Sequence, residues 1–184
     1  MKRRTYYMHV ELSTEAGDSV NNFELTLIPK KVTPQTSPGS YVLRLSNSEF
    51  TAGDLHRQER RIGGGNLSFD TIGIPTGVIF NGWLLSPLMS FYVPGKAVDT
   101  SKPIPVADSG VGDGWRLTGN VTFGRPTKGL QPLTLDGALK AAGRATLSYS
   151  STALFDPATG WPNETSGKIE NGNFSVSFTV RARR

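Results

Sequence analysis

Few side chains in this sequence are equipped for covalent or metal chemistry. There are two histidines, His9 and His56, and no cysteine in 184 residues. Without cysteine there can be no disulfide, thiolate metal site or thiol nucleophile. A zinc-type site would need both histidines together with carboxylates. His9 falls in the alternating run of residues 6–12, His56 in the polar run Asp54-Leu55-His56-Arg57-Gln58-Glu59-Arg60-Arg61, and no ligand spacing joins them. Both read as surface histidines. Asp108-Ser109-Gly110-Val111-Gly112-Asp113 offers hard oxygen ligands, which makes Asp108 and Asp113 weak calcium candidates. The spacing fits no EF-hand, and one loop supplies only two carboxylates. No other metal and no cofactor is expected.

Nucleophilic and phosphate chemistry are equally thin. The sequence has no nucleophile elbow and no serine, histidine and acid in a triad order. Gly63-Gly64-Gly65 lacks the Lys-Ser/Thr of a P-loop and the spacing of a dinucleotide fingerprint, and it leads into a strand pattern, so it reads as a hairpin turn. A carbohydrate-active enzyme would need two acids at a set separation across a cleft. The 15 Asp and Glu residues are scattered and the sequence does not pair them. Catalysis is therefore the least favoured reading.

Binding chemistry is better represented. Trp161 lies between Gly160 and Pro162 in a segment without periodicity, near Leu154 and Phe155. Such a tryptophan either anchors an interface, forms the lip of a ligand site, or plugs the space under its own loop. Trp83, after the turn-like Asn81-Gly82, is a similar candidate, whereas Trp115 alternates with Leu117 and reads as core. The formal net charge is +5. Lys2, Arg3 and Arg4 open the chain and Arg181, Arg183 and Arg184 close it, so the rest is close to neutral. With Arg57, Arg60 and Arg61 these ends form a basic set able to meet nucleic acid or an acidic surface. No aromatic stacking platform accompanies it, and the charged ends are expected to stay solvated.

These groups must be carried by a β-sheet. Tyr6, Met8, Val10 and Leu12 alternate with polar neighbours, the period-2 mark of a strand with one buried face. Phe23, Leu25 and Leu27 repeat it, as do Tyr41, Leu43 and Leu45. Pro29, Pro34 and Pro38 mark residues 30–39 as a connection. Further strands read at 66–71, 77–80, 90–93, 115–118, 120–123 and 145–149. The clearest is last: Phe174, Val176, Phe178 and Val180 face one way, Ser175, Ser177 and Thr179 the other. The half-wet pattern favours antiparallel pairing, and residues 173–180 should be paired on both sides, since an edge so flat and uncharged invites aggregation. One helix is expected at 135–142, capped by Thr134 and stopped by Gly143. Residues 94–114, 124–132 and 151–166 read as long loops.

A Gly-Asn-apolar-Ser/Thr-apolar pattern recurs at Asn66, Asn120 and Asn173 and suggests equivalent turn-to-strand units. Asn171-Gly172 is the strongest hairpin signal. The expected fold is all-β, an antiparallel sandwich of jelly-roll type or a closed barrel with long loops, in one domain spanning residues 1–184. Residues 5–11 are no apolar h-region and no stretch is long and apolar enough to span a bilayer. The setting is left open by the sequence, which is compatible with a virion or the cytoplasm. The favoured function is a non-catalytic structural or assembly protein, such as a virion, tail or surface component, that self-associates. The alternative is a β-barrel holding a small apolar ligand.

Overall fold

A computed structural model of the protein describes residues 3–30, 41–69, 73–76 and 100–183. The strands are β1 (Arg4–Thr14), β2 (Gly17–Pro29), β3 (Tyr41–Ala52), β4 (Leu55–Phe69), β5 (Pro75–Thr76), β6 (Ile104–Gly112), β7 (Trp115–Phe123), β8 (Gln131–Lys140), β9 (Leu147–Asp156), β10 (Trp161–Asn171) and β11 (Phe174–Ala182). They form one 11-stranded sheet in the order β5-β4-β3-β2-β1-β11-β10-β9-β8-β7-β6. Every pairing is antiparallel. The fold is thus all-β, as the alternation demands. Apart from the β1–β11 pair, neighbours in the sheet are neighbours in sequence, without the crossing connections of a jelly roll. Among the described residues the sheet is open: β5 and β6, its two edges, approach one another but share no ladder. This corrects the closed-barrel alternative and is consistent with a sandwich.

Directly opposed residues of an antiparallel pair point to the same face. Val10 opposes Phe178, Phe178 opposes Gly167, and the row continues through Ser151, Leu135 and Val121. The alternation in each strand therefore assembles one continuous apolar layer, with Tyr6, Leu25, Leu43, Leu117, Tyr149, Ile169 and Val176 all buried. The layer curls back on itself. Trp161 of β10 meets Tyr41 of β3, although three strands separate β10 from β3 in the sheet. As expected, β11 is paired on both sides, and Gly172, at φ +55°, supplies the first position of the two-residue turn before it.

Several expectations are corrected. Residues 135–142 are not a helix: 131–140 form β8, with Gln131, Leu133, Leu135 and Leu139 buried at strand spacing. Gly137 opposes Gly119, and a Cβ on Gly137 would come 2.1 Å from the Thr118 carbonyl oxygen. The pairing of β7 with β8 overrides a weak helical propensity. Residues 115–123 are one strand, β7, not two. The loop expected at 94–114 contains β6, and that at 151–166 is a hairpin, the end of β9 and the start of β10 around a short tip. Gly63-Gly64-Gly65 is no turn either. It lies within β4 at a bulge, where Gly63 has φ +146° and pairs with Leu45 while Arg61 pairs with Ser46. Asn66 and Asn120 sit mid-strand and only Asn173 lies in a turn, so the Gly-Asn pattern does not mark equivalent hairpins. The strands expected at 77–80 and 90–93 and the connection at 31–39 lie outside the described residues.

Candidate functional site

The strand directions collect a group of aromatic residues at one end of the curled sheet. Tyr41 opens β3, Phe69 closes β4 and Trp161 opens β10. Their rings pack edge to face, with centroids 5.1 Å apart for Tyr41 and Trp161, 5.9 Å for Phe69 and Trp161, and 6.2 Å for Tyr41 and Phe69. Such T-shaped contacts match the positive ring edge to the negative face. Phe155, near the end of β9, packs likewise on Phe123 at the end of β7, 6.1 Å away.

One cation enters this group. Arg4 opens β1 two residues before Tyr6, so the alternation turns it to the buried face. Its guanidinium lies 5.1 Å from the Trp161 ring centroid and beside the Tyr6 hydroxyl. Burial holds the phenols of Tyr6 and Tyr41 above the ordinary tyrosine range, and the Arg4 charge partly opposes this in both. Two other arginines at this end are matched. Arg181 Nε is 3.3 Å from Glu164, and Arg183 is 3.5 Å from Glu24, with its ring contact to Tyr7 at 5.7 Å. Among the described residues Arg4 has no carboxylate within ion-pair distance.

The polar outer face of the central strands carries a shallow groove of about 540 Å³. His9 Nδ1 bonds the Asn22 side-chain oxygen at 2.7 Å and His9 Nε2 contacts Glu11 at 3.0 Å, while Ser177 donates to the second Glu11 oxygen at 3.1 Å. The bonds to Asn22 and Glu11 raise the His9 pKa, and the bonds from His9 and Ser177 lower that of Glu11. Ser177 bonds the acid rather than the imidazole, so no nucleophile–base pair results. Asp136 is the other carboxylate of the groove. It lies in the same cross-strand row as Glu11, separated by Ser177, Lys168 and Ser150. Four strand spacings make about 19 Å along the sheet, far beyond the roughly 5–10 Å of a glycosidase acid pair.

No family model matches the chain, and a search of curated proteins returns no match. Likeness is found in structure. A solved structure described as lipid–protein interactions in lipovitellin superposes with a TM-score of 0.56 at 8% sequence identity, over 99% of this chain and 25% of that chain. The chain thus spans about a quarter of the lipovitellin chain, and what the two share is the fold of the β-sheet.

Of the residues singled out in the sequence, Trp161 and Phe155 lie at the aromatic end, and both are buried. Trp83 lies outside the described residues, as do Lys2 and Arg184. The basic set is divided. Arg3, Arg4, Arg181 and Arg183 converge where β1 begins and β11 ends, with the Arg183 amide donating to the Thr5 carbonyl at 2.8 Å. Arg4 and Arg181 are strand residues in the middle of the sheet, while the side chains of Arg3, Arg181 and Arg183 are exposed. Arg57, Arg60 and Arg61 are exposed on β4, which starts at the opposite end. Asp108 and Asp113 are each met by an arginine, Asp108 by Arg116 Nε at 2.6 Å and Asp113 by Arg144 at 3.4 Å. Among the described residues no three metal-ligating side chains gather, and no helix is long and apolar enough to cross a membrane. Sequence reading missed Tyr41 and Phe69 as partners of Trp161, because only the curl of the sheet joins them. It grouped Arg4 with the solvated ends, although its spacing from Tyr6, Met8 and Val10 places it on the apolar face.

Proposed function

We propose that the chain acts as one non-catalytic β domain that holds an apolar ligand between the halves of its curled sheet. The observation that carries this reading is the curl itself: a continuous apolar layer on an 11-stranded sheet whose two edges lie close without a ladder. The apolar layer is filled by its own side chains, with Leu25, Leu117, Val121, Leu135, Ile169 and Val176 fully buried, so a ligand would enter by parting the two halves. Among the described residues no ladder closes this seam, and a seam without one parts at little cost compared with a ladder. The likeness to a lipovitellin structure concerned with lipid–protein interactions supports the same reading. The test is native mass spectrometry of the protein after incubation with an equimolar mixture of C12–C18 fatty acids and alcohols. Retention of one ligand of that set supports the proposal, and recovery of bare protein from every mixture defeats it.

A second reading, an assembly protein such as a virion, tail or surface component, has its own observation. Along residues 55–67, β4 pairs with β3 on one side and, among the described residues, with no strand on the other. A free strand edge can take a strand from another chain. Size-exclusion chromatography with light scattering separates the readings: a monomer at high concentration counts against assembly through this edge.

A further inference from the structure

We propose that Arg4 is the head-group site of the apolar ligand, so that the ligand is an amphiphile with an anionic oxygen head, its chain in the curled interior. This rests on the ligand-holding reading above. Arg4 is turned to the apolar face at the aromatic end, partly buried between the Trp161 ring and the Tyr6 hydroxyl. The Trp161 ring face and the Tyr6 phenol take up part of the fork, and the partly exposed remainder is open to a ligand in place of water. Arg181 and Arg183 close by are matched to Glu164 and Glu24, whereas no carboxylate among the described residues reaches Arg4. The guanidinium presents its donors in a planar fork that suits a carboxylate or a phosphate. Rings of Tyr41, Phe69 and Trp161 beside it supply the apolar wall against which the first methylenes of a chain would lie. The remaining cations at this end add a positive field without occupying the fork.

The experiment is isothermal titration of the full chain with three probes of one chain length, hexadecanoic acid, hexadecyl phosphate and hexadecanol, below their aggregation concentrations. Wild type is expected to bind an anionic probe about tenfold or more tighter than the alcohol, the scale of one charge-assisted pair. Arg4→Gln should lose that preference, with the acid weakened to the level of the alcohol and the alcohol unchanged, while Arg4→Lys keeps part of it. The phosphate and acid arms show which head fits the fork. Should Arg4→Gln not fold, the wild-type preference and its loss with rising salt carry the test, since screening weakens the ion pair and spares the alcohol. Equal affinity for acid and alcohol, or a preference that survives Arg4→Gln, overturns the Arg4 assignment and leaves the ligand-holding reading standing. No binding of any of the three overturns both.

Discussion

Phe178 and Ser177 are adjacent in β11 and face opposite sides of the sheet, which makes them a sensitive test of its register. Phe178 is 2% exposed and opposes Val10 on one side and Gly167 on the other. Its ring lies over Gly167, for a Cβ placed there would come 2.4 Å from the ring's Cζ. Replacing Phe178 with Ala therefore opens a space that Gly167 has no side chain to fill. The cost should sit at the upper part of the roughly 3–5 kcal/mol range for buried phenylalanine. Ser177 points outward, and its hydroxyl donates to Glu11 at 3.1 Å on an exposed face. Ser177→Ala should cost under about 1 kcal/mol. At about 2–4 °C per kcal/mol for a chain of this size, the midpoints should fall by roughly 6–20 °C and by less than about 4 °C. Thermal unfolding followed by far-ultraviolet circular dichroism, with urea unfolding as a check, measures both. Equal losses would mean that both faces of β11 are buried. A negligible loss at Phe178 would mean that the register is wrong.

Gly167→Ala, read by urea unfolding, should destabilise by about 1–3 kcal/mol, because the new methyl meets Phe178, the Ser150 carbonyl and Ser151. His9 should titrate above its ordinary 6.5 in an NMR pH series, and Asn22→Ala should bring it back down. A raised histidine pKa stabilises the fold below 6.5 and loses that contribution as pH rises through the folded value; the lowered Glu11 stabilises above 4.5 and loses its contribution as pH falls through its own. Their joint contribution is thus fullest between pH 4.5 and 6.5, and substituting Glu11 with Gln should lower stability in that window and flatten the slopes on either side of it. Deleting residues 181–184 should lower the melting midpoint by several degrees, since it removes the Arg181 and Ala182 ladder positions and the Arg183–Thr5 bond. An unchanged midpoint would restore the picture of a solvated tail.

The sheet was legible wherever one face is wet. Residues 6–12, 23–27, 41–45 and 174–180 alternate cleanly because each strand buries one side only. Elements were lost where the pattern is blurred by local chemistry. In β4, residues 55–61 are exposed on both faces, so no apolar period marks them. In β9, Leu154 lies on the outer face at 39% exposure and hides the alternation of Ala153 and Phe155. In β8, Asp136, Lys140 and the alanines imitate a capped helix, and only the close approach of Gly119 and Gly137 shows why a strand forms there. The candidate site was legible in parts. Trp161 and Phe155 stand out by type. Their packing does not, because Tyr41 and Phe69 reach Trp161 through the curl of the whole sheet, and no local spacing encodes that. Arg4 was within reach of the period-2 argument, since a residue two before Tyr6 shares its face, but three consecutive basic residues suggested a free end instead.

The central claim is that the curled interior admits an apolar chain, and the most direct measurement is equilibrium titration with a fluorescent 16-carbon fatty acid. The account predicts saturable uptake at about one probe per chain, blue-shifted probe emission as the chain leaves water, and displacement by unlabelled hexadecanoic acid. A signal that rises without saturation, or that unlabelled acid does not displace, would contradict it.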